Sequence, residues 1–234
     1  MSLDRNHENV LAWNALYART KGLVWGAEPV GFLPVWAARL QALVGPADTV
    51  LEAGVGEGRN LAALEKLGAS LYACDASVEA LHKIPERLQG QVSLAQCELA
   101  QTPYADGFFR LLVLIDVFET LPDPRSVLRE LHRITAPGGY LLANIPDADD
   151  EIAGVEMEPL PEGGFLFRGR FFYRFYSVDE AVALARAEGW DVVESEVCQW
   201  MEEPHPEFRP ESHAHTSRVF LFQRCADLPG EPKE

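Results

Sequence analysis

No stretch of this chain stays apolar for the ~18 residues that a membrane-spanning helix needs, and no secretory signal pattern opens it. A soluble, cytoplasmic protein without a membrane partner is therefore expected. Cysteine is scarce: Cys74, Cys97, Cys198 and Cys225 are scattered, with no C-x-x-C pair. That pattern excludes a disulfide scaffold and a zinc ribbon and fits reduced thiols. Positive charge is also short. Twenty Lys and Arg face 36 Asp and Glu, a net charge of −16. Nucleic-acid phosphates demand a basic surface, so no nucleic-acid partner is expected. No internal repeat is visible, which excludes a solenoid.

What is present centres on Asp48 to Asn60. Thr49, Val50 and Leu51 read as a short buried strand, Gly54, Gly56 and Gly58 as the turn leaving it. Leu61, Ala62, Leu64 and Leu67 follow at helical spacing. Strand, glycine turn and helix make the first half of a nucleotide-binding unit. The dinucleotide fingerprint is G-x-G-x-x-G, but here the third glycine comes one residue early and Arg59 stands in its place. Glu52, an acid at the strand's end, would repel a pyrophosphate and suits a cationic ligand. The bland alternative is a tight loop between strand and helix.

Along the chain, residues 7–20 and 34–44 read as helices, with a turn-rich segment around Trp25 between them. This region is either packing on the sheet edge or a lid. Strands are expected at 70–74, 92–95, 108–115 and 140–145, with helices at 77–87, capped by Ser77, and 124–135. Pro137-Gly138-Gly139 reads as a turn. Strand and helix alternate, so an α/β, doubly wound and mostly parallel sheet is expected. Residues 148–164 read as a long loop. Residues 165–176 alternate like one strand, with aromatics on one face and Arg168, Arg170 and Arg174 on the other. A capping box, Ser177 with Glu180, opens a helix over 177–188. Strands at 190–197 and 216–224 follow, joined by a loop of Pro, Glu and His.

The order of these pieces resembles the class I S-adenosylmethionine-dependent methyltransferases, and within them it is similar to the tellurite-resistance type and its small-molecule relatives. The likeness is carried by Trp13, Tyr17 and Trp25-Gly26-x-Glu28-Pro29, by Gly54-Val-Gly56-Glu-Gly58-Arg59-Asn60, by Cys74-Asp75-Ala76-Ser77, by Pro137-Gly138-Gly139 and by His213-Ala214-His215-Thr216. It implies a Rossmann-like sheet of seven strands with an antiparallel last strand. One domain over residues 1–225 is expected, with an N-terminal helical lid (1–45), an insertion near the active site (146–176) and a tail (226–234); Met1 to Leu3 read as an expression scar.

The resemblance implies S-adenosylmethionine as cofactor and S-adenosylhomocysteine as product. Glu52 and the backbone of Ala53, Gly54, Val55 and Gly56 would hold the methionine end, with Trp25, Arg59 and Asn60 alongside. Asp75 would bind the ribose hydroxyls, with Ala76 packed on the adenine beside Ser77. Glu98 and Leu99 would read the adenine edge, and Asp116 and Val117 would border the methyl group. Three positions depart from the family: Glu52 for the commoner Asp, Cys97 for Gly and Arg110 for Asp.

Methyl transfer is an in-line displacement that needs positioning first and a general base only when the nucleophile carries a proton of high pKa. The fold therefore dictates no single catalytic residue. Tyr17, Glu119, Arg170 and His213 are the candidates on the substrate side. Their bland readings are an aromatic wall, a solvated loop acid, a surface ion pair and a strand-end histidine. His213 and His215 share a strand face, but no further ligand cluster accompanies them, so no metal is expected. The acceptor is expected to be a small molecule, anionic if one of Arg168, Arg170 and Arg174 reaches the pocket, and the protein a monomer or homodimer. A non-catalytic cofactor-binding scaffold of the same fold stays open. Glu52 and Arg59 argue against a nucleotide-dependent oxidoreductase.

Overall fold

The computed structural model describes residues 3–147, 150–205 and 207–225. The expected scar at Met1 and Ser2, Ala148 and Asp149 of the expected loop and the tail from 226 lie outside the described residues. The chain runs α1 (Leu3–Arg19), α2 (Leu33–Leu40), β1 (Thr49–Ala53), α3 (Leu61–Leu64), β2 (Ser70–Asp75), α4 (Val78–Leu81), α5 (Glu86–Gln89), β3 (Val92–Gln96), β4 (Phe109–Leu114), α6 (Pro124–Ile134) and β5 (Thr135–Pro146). It continues through β6 (Met157–Pro159), β7 (Phe165–Phe167), β8 (Phe171–Tyr173), α7 (Val178–Ala187), β9 (Trp190–Glu202) and β10 (His213–Arg224).

Seven strands form one sheet in the order β3-β2-β1-β4-β5-β10-β9. β1 pairs in parallel with β2 and β4, and β4 with β5, whereas β10 runs antiparallel to both β5 and β9. This is the expected α/β, doubly wound and mostly parallel fold. Its central strands alternate between two apolar layers. Leu111 and Val113 of β4 pack with Trp36, Leu40, Leu61 and Leu64 on one side. Leu112 and Leu114 pack with Leu128, Leu131, Ala181 and Trp190 on the other. Burial on both faces explains why β4 reads as an unbroken apolar run. Arg110, its one polar residue, donates to the carbonyls of Leu43 and Gly138.

Several boundaries moved for local reasons. The helix expected over 77–87 is two pieces, α4 and α5, separated at Pro85, which lacks an N–H to donate. Ser77 does cap α4, accepting from the Ala80 amide at 3.2 Å. α2 ends early because the amides of Ala42 and Leu43 bond three residues back, tightening the last turn. Pro137-Gly138-Gly139 is a break in register inside β5 rather than a turn before it: Phe109 faces Thr135 and Leu111 faces Tyr140. A side chain at Gly139 would stand 2.7 Å from the Thr135 methyl. The capping box at Ser177 is present on α7.

The largest departure is at 165–176. These residues form a hairpin, β7 and β8, paired on its other side with β6. Arg168 and Gly169 make the turn, Arg168 with φ +51°. Phe167, Phe171 and Tyr173 bury themselves against Leu16, Tyr17 and Phe208 in a third apolar cluster above the sheet. The three arginines consequently diverge. Arg168 pairs with Glu156, Arg170 lines a shallow groove with Arg19 and Glu207, and Arg174 lies over the Tyr176 ring.

One side chain joins the hairpin to the N-terminal helix. Buried Asn9 on α1 donates to the Thr120 carbonyl at 2.9 Å and accepts from the Phe172 amide at 3.0 Å. Asn9→Ala orphans both backbone groups, and each costs about 1–3 kcal/mol when left buried without a partner. A thermal melt should show the midpoint falling by about 2–4 °C per kcal/mol lost. An unchanged midpoint would show that the two bonds contribute nothing.

Candidate active site

In open α/β sheets the ligand crevice lies beyond the carboxyl ends of the strands, where the strand order reverses. Here that point falls between β1 and β4. A cavity of about 410 Å³ opens there. The glycine turn after β1 forms its floor. Gly54 and Gly56 have φ of +73° and +53°, a region other residues rarely enter. A side chain on Gly54 would stand 2.5 Å from Val117, and one on Gly56 would stand 2.9 Å from the Tyr17 hydroxyl. Backbone is thus bared to the cavity because nothing larger fits.

Asp75, at the end of β2, takes the Gly56 amide at 2.9 Å and the Ser77 amide at 2.8 Å. Burial pushes its carboxyl up, against those two bonds. Trp25, Val55, Arg59, Asn60, Ala76, Glu98, Leu99, Asp116 and Val117 also line the cavity. So do three of the four substrate-side candidates, Tyr17, Glu119 and His213. Arg170 does not; the hairpin turn carries it to the outer groove.

Glu52 and Ala53 are expected ligand contacts that do not line the cavity. Glu52 is 2% exposed, beneath the turn. Its Oε1 accepts from Asn60 Nδ2 at 2.9 Å, and its Oε2 is buried with no partner among the described residues. Desolvation pushes its carboxyl up to about 8. The acid is a buried charge reserve behind the turn, reached through Asn60.

Asn60 and its neighbours also hold the walls. Asn60 Oδ1 accepts the Val30 amide at 3.0 Å. Buried Glu57 accepts the Val24 amide at 2.7 Å and the Trp25 amide at 3.2 Å. Arg59 reaches Glu202 at 3.1 Å and Asp116 at 3.2 Å. Asp116 has φ +54°, held there by a pair of 2.8 Å bonds to the Asn144 side chain. Tyr17 is a wall residue: its hydroxyl accepts from Trp25 Nε1 at 2.9 Å, and burial pushes its pKa up.

Glu119 is no solvated acid. It is 3% exposed, on a 3₁₀ turn (Phe118–Thr120), with Oε2 unpartnered among the described residues. Desolvation, then the nearby charge of Asp116, raise its carboxyl far above the usual range. The far wall comes from Tyr173, one of the alternating aromatics of 165–176, and from residues that no pattern in the chain announces, Phe208 and Arg209, with His205 beside His213 at 5.3 Å between rings. Burial holds His205 down to about 4. His215 bonds the buried Asp150 carboxylate at 2.9 Å. Among the described residues no group of three or more His, Cys, Asp or Glu is arranged to hold a metal ion, and no helix is long and apolar enough to cross a membrane.

Residues 51–143 match the family model described as a methyltransferase domain. The chain is 28% identical over 159 residues to the ubiquinone biosynthesis O-methyltransferase of Pseudomonas paraeruginosa, covering 62% of this chain and 65% of that protein. It is 32% identical over 106 residues to the demethylmenaquinone methyltransferase of Mycobacterium marinum, covering 45% of each. The alignments thus span less than two thirds of these relatives. The 1,6-didemethyltoxoflavin-N1-methyltransferase of Burkholderia thailandensis, solved with 1,6-didemethyltoxoflavin and S-adenosylhomocysteine, superposes with a TM-score of 0.67 over 96% of this chain and 92% of that one, at 20% identity. The chain shares its Rossmann-like fold with that solved methyltransferase, and its match to the methyltransferase domain model covers residues 51–143.

Glu52 makes the ligand-free protein sensitive to pH. Its folded value of about 8 lies above the ordinary 4.5. Its contribution to stability is complete below that ordinary value and is lost as pH rises through the folded one. Glu52→Gln should therefore flatten the fall in melting temperature between pH 5 and about 8.5, since a neutral amide has no charge to desolvate. A slope identical to wild type would contradict this.

Proposed function

We propose that this chain is an S-adenosylmethionine-dependent methyltransferase acting on a small-molecule acceptor, of the tellurite-resistance type indicated by the Trp25-Gly26 and Gly58-Arg59-Asn60 motifs. The observation that carries this is the bared glycine turn at the point of strand reversal, with Asp75 bonded to its Gly56 amide and lining the same cavity. The residues present fit the cofactor. Gly54 and Gly56 offer backbone with no side chain of their own in the way. Asp75 offers a carboxylate to ribose hydroxyls. Ala76, Glu98 and Leu99 border the space for the base, and Asp116 and Val117 the space beside the sulfur. Glu52, whose carboxyl burial raises to about 8 in the ligand-free protein, would ionise behind the turn once a cation sits there.

When bound, the cofactor supplies a methyl group on a cationic sulfur. The protein's share is to align the acceptor and exclude water. Trp13, Trp25, Tyr173 and Phe208 give the cavity an aromatic wall suited to a flat ring. Ubiquinone, menaquinone and toxoflavin appear in the names of the relatives, which supports an acceptor of that size. Buried polar groups on the wall beyond β4 have no use in a scaffold that only binds cofactor, and they favour an enzyme over that reading.

Calorimetry tests the assignment. S-adenosylhomocysteine should bind and NAD should not; NAD binding alone would sink it. Asp75→Ala should weaken S-adenosylhomocysteine by at least about tenfold, because charge-assisted bonds of about 1.5–3 kcal/mol are lost. Asp75→Asn should fall between wild type and Asp75→Ala, since its single oxygen keeps one of the two acceptors that the Gly56 and Ser77 amides use.

A further inference from the structure

Three buried polar atoms on the cavity lining have no hydrogen-bond partner among the described residues: Glu119 Oε2, His213 Nε2 and Arg209 Nη1. Native proteins seldom leave one such atom unpaired, and each is costly. Three around a single cavity ask for a ligand that completes them. Their place in the fold separates them from the glycine turn. β10 is antiparallel, so its first residue, His213, reaches the same sheet edge as the ends of β1 and β4. In the strand order β2-β1-β4-β5-β10, the turn and Asp75 lie to one side of β4, and His213 and Arg209 to the other.

The chemistry of each atom is set by its surroundings. His213 Nδ1 lies 2.9 Å from the Glu211 carbonyl. A carbonyl only accepts, so Nδ1 carries the proton and Nε2 presents a lone pair to the cavity. Burial holds this histidine below its ordinary pKa, so it is neutral near pH 7. The charged and titratable groups around it are Arg209 and His205 from the preceding loop, Glu202 from β9 and His215 on its own strand. Arg209 is a half-buried cation, and the acids that act on it among the described residues, Asp150 and Glu151, are engaged elsewhere. Asp150 accepts from His215, Thr216 and Ile152, and Glu151 accepts from the Ala214 amide.

We propose that Arg209 and His213 form the acceptor subsite: Arg209 holds the anionic group of a hydroxylated aromatic acid, and His213 Nε2 takes the proton of the hydroxyl that is methylated. This rests on the methyltransferase reading above. The ring lies along Tyr173 and Phe208. Glu119 Oε2, buried and unpartnered among the described residues, takes a hydrogen bond from a further hydroxyl of the acceptor. As the hydroxyl oxygen bonds to the methyl carbon, the carbon–sulfur bond breaks with its electron pair on sulfur. The hydroxyl proton passes to Nε2 and from there to solvent. The cationic anchor for the acceptor is thus Arg209, not Arg168, Arg170 or Arg174.

The test uses 3,4-dihydroxybenzoate and its uncharged amide on protein loaded with S-adenosylhomocysteine. Wild type should bind the acid at least about tenfold more tightly than the amide, the worth of one charge-assisted contact. Arg209→Gln should lose that preference and keep its affinity for S-adenosylhomocysteine, which also reports that it is folded. His213→Gln should keep the acid's affinity but lose on the order of 10²–10⁴-fold in kcat with S-adenosylmethionine, together with the acid limb of the pH–rate profile. Equal binding of acid and amide, no binding of either, a preference surviving in Arg209→Gln, or full turnover in His213→Gln would each overturn the subsite. Failure of S-adenosylhomocysteine to bind wild type would instead overturn the methyltransferase reading.

Discussion

Everything around the cavity hangs on three side chains of one short turn, Glu57, Arg59 and Asn60. They point in three directions. Glu57 and Asn60 reach the N-terminal segment through the amides of Val24, Trp25 and Val30, and Asn60 also reaches down to Glu52. Arg59 reaches across to Asp116 and Glu202. The bonds of Glu57 to Val24 and of Asn60 to Val30 and Glu52 are buried, and a buried carboxylate or amide without its partner is costly. The turn therefore keeps its shape only while the walls are docked, and the walls dock only on that shape. The glycines give the backbone its path, and these polar side chains keep it there.

The electrostatics of the site follow from that construction. Carboxylates at Glu52, Glu57, Asp75 and Glu119 are all pushed upward by desolvation. A strongly acidic chain has thus gathered several of its acids where their charge is least welcome. Such a site gains from a cation, which restores their ionisation. On the far wall the sign reverses, with Arg209 beside His205 and His213, whose pKa values burial holds down. A cationic molecule and an anionic one can then share the cavity, each on the side that favours it.

Much of this was legible in the chain. The glycine turn, Asp75 and the Ser77 and Ser177 caps are local devices whose chemistry depends on near neighbours. The double burial of β4 wrote itself as an apolar run. The alternation of strands and helices carried the parallel core of the sheet. What escaped was set by distant contacts. Residues 165–176 keep a period of two whether they form one strand or a hairpin, and only the turn at Arg168-Gly169 decides where the arginines go. Glu52 stands where a ligand acid belongs, but its burial comes from Asn60 and the layers around it. Arg209 lies in a loop without pattern, brought to the cavity by the pairing of β9 with β10.

Asn9, through its bonds to Thr120 and Phe172, has a mechanical consequence. α1 and the hairpin both stand over the cavity, and this amide fastens them to each other and to the segment after β4. Neither can be displaced alone without leaving a buried backbone group unpaired. The two make a single cover rather than two independent flaps.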